Sequence, residues 1–276
     1  MKTLFISDLD GTLLNRQERL SERTVELLNS LIQKGLHFSY ATARSLSSAA
    51  RATQGIMPVA PVVLYNGGTI LNPATHETLR FLAYTPKQVK IAAELFQAHH
   101  VSPIVYSMVN GQDYVSWMAG TETKGMNEYL SKRKDDPRFT VCHSWDEVYR
   151  GQPFYFTCIG ELEEIQPIEK ELHKFSYWHA LLQKEIYSED AYWCEIMPWN
   201  ATKANGVLFI KEKLGFDRIV CFGDGLNDIS MFQAADECYA MANAEQQLKS
   251  VATAVINSND EDGVALWLAE NYTRYL

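Results

Sequence analysis

Positive charge is in short supply in this chain: 25 Lys and Arg stand against 34 Asp and Glu in 276 residues, a net charge of −9. Nucleic acids and anionic membrane surfaces are bound through basic patches, so this balance argues against both as partners. Cysteine is sparse as well. Cys142, Cys158, Cys194, Cys221 and Cys238 are widely spaced with no Cys-x-x-Cys pair, which excludes a zinc ribbon and predicts reduced, buried thiols in a cytoplasmic protein. No apolar run approaches the length that spans a bilayer. The opening run Leu4-Phe5-Ile6 is cut short by Asp8 and Asp10, too early for a secretory signal. Gly-x-Ser-x-Gly, Walker, His-Glu-x-x-His and dinucleotide-binding patterns are absent, as are repeats and low-complexity tracts.

What is present is an ordinary globular composition, 46% hydrophobic and 21% charged, arranged in a rhythm of strand and helix. Leu4-Phe5-Ile6 predicts a buried strand. Ser21 then caps a helix with Val25, Leu28, Leu31 and Ile32 at helical spacing, closed by Gly35. His37–Ala41 predicts a second strand and Pro61–Tyr65 a third, ending in Asn66-Gly67-Gly68. This βαβ order implies a parallel sheet, whose functional groups gather beyond the carboxyl ends of the strands.

From about Tyr84 the pattern changes. Thr85-Pro86-Lys87-Gln88 reads as a capping box, Asn110-Gly111 as a hairpin turn, and Phe154–Ile159 as a buried strand; short strands lead on to about Tyr187. This stretch predicts an inserted α+β domain with an antiparallel sheet. Its Tyr106, Tyr114, Trp117 and Trp178 are expected in the core. The earlier rhythm resumes with a strand at Tyr192–Met197, a helix from Lys203 to Leu214 and a strand at Arg218–Phe222. The expected boundaries are therefore 1–83 and 190–276 for an α/β core with a Rossmann-like parallel sheet, and 84–189 for the insert.

Two acidic stretches stand at strand ends. In Asp8-Leu9-Asp10-Gly11-Thr12 the carboxylates lie two apart, so in an extended chain they face one site, and Gly11 allows a sharp turn beyond them. Like charges held together call for a cation, and Mg²⁺ prefers such oxygen ligands. Gly223-Asp224-Gly225-Leu226-Asn227-Asp228 follows the strand at Arg218–Phe222 and brings further carboxylates to the same end of the sheet. Thr42 sits at a strand end before a helix, where a hydroxyl and unpaired N–H groups suit a phosphoryl oxygen. Lys203 opens its helix, an unfavourable place for a cation unless an anion lies in front of it.

These stretches resemble the four motifs of the haloacid dehalogenase superfamily of phosphohydrolases. The resemblance implies that Asp8 attacks phosphorus and that Asp10 donates and accepts protons. It implies that Asp8, the backbone carbonyl of Asp10, and Asp224 bind Mg²⁺, with Asp228 completing or orienting the shell. Thr42, Lys203 and Asn227 would hold the phosphoryl group, and Arg44 and Asn66 the substrate or the lid interface. The position of the insert is similar to that of the Cof-type branch, whose C2B cap serves as a lid, and Asn259–Val264 is similar to that branch's tail. Thr42-Ala43-Arg44 departs from the branch's usual Thr-Gly-Arg, at a cost of about 1 kcal/mol if that position needs positive φ. The implied activity is hydrolysis of a small phosphomonoester (a sugar phosphate, pyridoxal phosphate or a nucleotide-like metabolite) through an aspartyl-phosphate. A phosphotransferase or phosphomutase, and a non-catalytic binding protein, share the same core.

Overall fold

The computed structural model describes residues 1–56, 60–184 and 191–275. They form two compact units, Met1–Phe81 with Ala201–Leu276, and Leu82–Asn200.

In chain order, the first unit begins with β1 (Thr3–Ser7), α1 (Glu22–Gln33), β2 (His37–Tyr40), α2 (Leu46–Ala52), β3 (Val62–Leu64), β4 (Thr69–Leu71) and β5 (Thr78–Phe81). The second comprises α3 (Pro86–Ala98), β6 (Ile104–Val109), β7 (Gln112–Met118), α4 (Lys124–Ser131), β8 (Phe139–Cys142), α5 (Trp145–Val148), β9 (Gln152–Gly160), α6 (Leu162–Leu172), β10 (Trp178–Lys184) and β11 (Tyr192–Pro198). The first unit closes with α7 (Lys203–Leu214), β12 (Arg218–Gly223), α8 (Ile229–Ala234), β13 (Glu237–Met241), α9 (Gln246–Lys249), β14 (Ala254–Ile256) and α10 (Gly263–Asn271).

The first unit is built on a parallel sheet in the order β14-β13-β12-β1-β2. Leu4 and Ile6 are wholly buried and Phe5 nearly so, as expected for a central strand covered on both faces. Strand order reverses between β1 and β12, the kind of switch point at which α/β sheets open a crevice. Pro61–Tyr65, expected as a third parallel strand, meets the end of β2 through one parallel bridge, Ala41–Val63, and the Thr42 N–H to Val63 carbonyl bond. Its β3 folds back with β4 and β5 into an antiparallel three-stranded sheet. The turn that reverses it holds three consecutive positive φ values, at Tyr65 (50°), Asn66 (52°) and Gly67 (103°).

The second unit is a six-stranded sheet, β10-β11-β9-β6-β7-β8, antiparallel except for β7 with β8. Phe96, Phe156, Cys158, Ile168, Trp178 and Cys194 fill its core, and Tyr84 stacks on Phe156 with ring centroids 4.8 Å apart. The capping box at Thr85 and the hairpin at Asn110-Gly111 form as expected. Of the aromatics expected in this core, Trp178 and Tyr106 are buried. Tyr114 and Trp117 are only half-buried, Tyr114 beneath the guanidinium of Arg150 and Trp117 bonded through Nε1 to Glu122.

One boundary moves. The run Tyr192–Met197, expected to resume the α/β core, pairs antiparallel with β10 and β9 and belongs to the second unit. A half-covered antiparallel strand with Cys194 and Ile196 inward has the same local composition as a parallel core strand, and only pairing separates them. The expected end of the insert at residue 189, and the short strand leading to Tyr187, lie outside the described residues.

Candidate active site at the carboxyl ends of the core strands

Register does the first part of the assembly. Ser7 at the end of β1 is level with Phe222 of β12 and Tyr40 of β2. The next residues continue that pairing: Asp8 N–H donates to the Phe222 carbonyl at 3.0 Å and Ala41 N–H to the Ser7 carbonyl at 2.9 Å. Asp8, Gly223-Asp224 and Thr42 are thereby brought to one edge.

Lys203, at the first position of α7, is 1% exposed, and its ammonium donates to Asp8 Oδ1 at 2.6 Å and Asp228 Oδ1 at 2.7 Å. Burial by itself would lower its pKa, but the two carboxylates outweigh burial and raise it, so Lys203 is a cation. Asp228 is wholly buried and uses both oxygens. Oδ1 receives Lys203, and Oδ2 accepts the N–H groups of Asp224 and Gly225, each at 3.0 Å. It thus folds the loop 223–228 and holds the lysine.

Asp224 turns toward the opening loop, where Thr12 Oγ1 donates to its Oδ1 at 2.6 Å. Gly11 is required here: its φ is +73°, and a Cβ would stand 2.2 Å from Asp224 Oδ2. Burial raises the Asp224 carboxyl to about 6 against the opposing hydrogen bond from Thr12, with Asp228 adding to the rise. Burial also raises Asp8 well above the usual carboxylate range, against the pull of Lys203. Oxygens of Asp8, Asp224 and Asp228 all lie within 4.8 Å of one another. Three carboxylates answered by one ammonium leave an excess of negative charge in a desolvated place. That donor set fits a hard divalent cation.

Asp10 departs from expectation. The strand ends at Ser7, and a turn closed by Leu14 N–H on the Leu9 carbonyl at 2.8 Å begins directly after Asp8. The two-residue periodicity of an extended chain therefore does not reach Asp10, and its carboxylate stays outside the cluster. Its side chain is 50% exposed and is gripped by Arg44, with Nε donating to Oδ2 at 2.8 Å and Nη2 to Oδ1. Arg44, expected against the substrate or the lid, also bonds Glu18 Oε2 at 2.8 Å and Ser48 Oγ at 3.2 Å.

Thr42 is wholly buried; its N–H donates to the Val63 carbonyl and its Oγ1 accepts from Arg44 N–H at 3.1 Å. The helix behind it starts at Leu46 and is capped by Ser45, so its first N–H groups belong to Ser45 more than to Thr42. Ala43 is not among the residues with positive φ, and alanine in place of glycine costs nothing there. Asn66 ties two motifs together: its N–H donates to the Thr42 carbonyl at 2.9 Å, and its Oδ1 faces Asn227 Nδ2 at 3.5 Å. Gly67 lets that turn lie on the cap of α7, where a Cβ would meet the Thr202 carbonyl oxygen at 2.2 Å.

Two residues of this site, Thr12 and Glu18, are not among those the sequence pattern singles out: Thr12 lies within Asp8–Thr12, where its hydroxyl could have been noticed, and Glu18 carries no local signal.

The relation of this arrangement to known proteins is direct. Residues 5–268 match the sequence model of the haloacid dehalogenase-like hydrolases. The chain belongs to that family. A Haemophilus influenzae protein whose name places it among the phosphatases is 30% identical over 275 residues, covering 96% of this chain and 97% of that one. The 5-amino-6-(5-phospho-D-ribitylamino)uracil phosphatase YitU of Bacillus subtilis is 24% identical, covering 98% of this chain and 97% of that one. The crystal structure of a Thermotoga maritima protein, TM0651, superposes with a TM-score of 0.80 at 23% identity, over 98% and 97% of the two chains. As a haloacid dehalogenase-like hydrolase of the Cof type, this chain is a phosphoric monoester hydrolase with a parallel-sheet core and an inserted domain. Among the described residues no helix is long and apolar enough to cross a membrane.

Proposed function

We propose that this protein is a cytoplasmic, Mg²⁺-dependent phosphatase that hydrolyses a small phosphomonoester through a phosphorylated Asp8. The observation that carries this reading is the buried ammonium of Lys203, shared between Asp8 and Asp228 with Asp224 beside them. Lys203 engages Asp8 Oδ1, which leaves Oδ2 as the attacking atom; attack on phosphorus forms the Asp8 Oδ2–P bond and breaks the bond to the leaving oxygen. Asp10, whose oxygens both accept from Arg44 in the resting site, first frees one of them and takes up a proton from solvent, and it gives that proton to the leaving oxygen. It then takes a proton from the water that cleaves the acyl phosphate, which returns the Asp8 carboxylate and releases inorganic phosphate. Lys203, Thr42 and Asn227 stabilise the transferring phosphoryl oxygens.

Mg²⁺, held by Asp8, Asp224 and the Asp10 carbonyl, would supply the charge that lets Asp8 stay ionised beside Asp224 and an incoming dianion. Asp228, with both oxygens engaged, orients this shell. The free, buried state of all five cysteines agrees with a reducing compartment.

The test is phosphate release from p-nitrophenyl phosphate and then from a panel of sugar phosphates, pyridoxal phosphate and flavin mononucleotide, with Mg²⁺ and with chelator. Release that needs Mg²⁺ is the expected result. Chelator-resistant turnover would remove the metal from the mechanism, and no release from any substrate would count against hydrolysis.

A further inference from the structure

The segment Asn259–Val264 resembled a family tail without acquiring a task. In the fold it meets the loop that carries Asp10 at several points. Asn259 Nδ2 donates to the Leu14 carbonyl at 2.8 Å. Asn243, just beyond the carboxyl end of β13, donates from Nδ2 to the Gly11 carbonyl at 2.8 Å. The two amides are joined to one another, since Asn259 N–H donates to Asn243 Oδ1 at 3.2 Å. Asp260 accepts from Arg16 N–H and Nε, and Asp262 accepts from Ser21 and Thr24 hydroxyls at 2.5 and 2.9 Å.

The turn that follows Asp8 is thus gripped from outside at Gly11 and Leu14, the carbonyls on either side of Thr12. Gly11 has the positive φ that aims the backbone after Asp10, and glycine is the residue least able to hold such a conformation unaided. Neutral amides suit the task, because a charged clamp would perturb Asp224 close by. Asn243 is exposed and Asn259 half-exposed, so core packing does not explain either one.

We propose that the Asn243–Asn259 amide pair is a clamp that positions the Asp10 carboxyl for proton transfer to the leaving group. Both asparagines are positioning residues, acting through the Gly11 and Leu14 carbonyls while Arg44 holds the Asp10 side chain from the other side. The inference rests on the acid–base role given to Asp10 above.

A misplaced general acid harms poor leaving groups and spares good ones, because a nitrophenolate departs without a proton. The experiment compares kcat/KM, which reports the first chemical step, for β-glycerophosphate and 2,4-dinitrophenyl phosphate. The variants are Asn243→Ala, which loses the donor to Gly11 without adding a charge near Asp224, and Asn259→Ala. Each variant is expected to lose about tenfold on β-glycerophosphate and less than about twofold on dinitrophenyl phosphate, with little change in melting temperature. Equal losses on both substrates, or none on either, would overturn the clamp. Failure of the unmodified protein to hydrolyse either substrate would instead strike the phosphatase reading. If Asn243→Ala does not fold, Asn259→Ala and Asn243→Ser carry the same comparison.

Discussion

The two units place opposite materials in their interiors. At the strand ends of the first, charge is buried: Lys203 is 1% exposed, Asp228 0% and Asp8 6%. The second buries aromatic and aliphatic groups, with Phe156, Phe96 and Trp178 at its centre, and keeps ion pairs such as Lys174–Glu171 on its surface. A buried charge cluster seldom adds stability over an apolar core of equal volume, whereas packed aromatics do. The first unit therefore carries chemistry at some expense to its own stability, whereas among the described residues of the second the charges of Arg138 and Asp136 keep 17% and 12% exposure.

The largest effect that would break this contrast is on turnover. Asp8→Asn is expected to lower p-nitrophenyl phosphate hydrolysis by roughly a thousandfold or more. It should not lower the melting temperature, since it removes one of three crowded carboxylates; substantial activity in the variant would take Asp8 out of the nucleophile's place.

Next come two variants of similar size and opposite response. Lys203→Met leaves Asp8 and Asp228 without their cation and is expected to cost about 3–5 kcal/mol. Phe156→Ala opens a cavity in the second unit and is expected to cost about 3–5 kcal/mol there. Chemical denaturation with and without Mg²⁺ separates them. The ion should restore part of the loss in Lys203→Met and none in Phe156→Ala.

A smaller effect concerns pH. The folded carboxyl of Asp224 is raised to about 6 from an ordinary value of 3.8, and Asp8 moves the same way. The folded state then holds these protons more tightly than the unfolded chain. Stability contributed by the site accordingly rises as pH falls through about 6 and is lost again as pH climbs. For chelated protein this is expected to amount to about 1–2 kcal/mol between about pH 7 and pH 5, measured by denaturant melts. Asp224→Asn should flatten the trend, and a slope of the usual sign, stability falling with acid over that range, would contradict it.

Smallest is Arg44→Lys, which loses the paired bonds to Asp10. A five- to tenfold drop in kcat/KM is expected, roughly, with the fold intact.

Much of the fold and site could be read locally. Strand, turn and glycine are neighbours in sequence at both Asp8–Thr12 and Gly223–Asp228, so the strand ends and the turns after them are legible there, though not the direction of every side chain. The reading fails where the extent of a strand or its pairing partner decides the geometry. Asp10 was expected beside Asp8 because the strand was assumed to continue, but β1 ends at Ser7. Tyr192–Met197 reads as a core strand and pairs with the insert. Glu18 had no local pattern at all, because its partner Arg44 is brought to it by the fold.

The amino-acid order alone marked the acidic stretches at strand ends and the parallel core that β1, β2 and β12 form, since hydrophobic period and turn residues act over a few positions. Tertiary structure decided which oxygen meets which proton: that Lys203 bridges Asp8 and Asp228, that Arg44 takes Asp10, and that Asn243 reaches Gly11. Hydrogen bonds are settled within tenths of an ångström, and only the packed sheet, with its register fixed, specifies positions that finely.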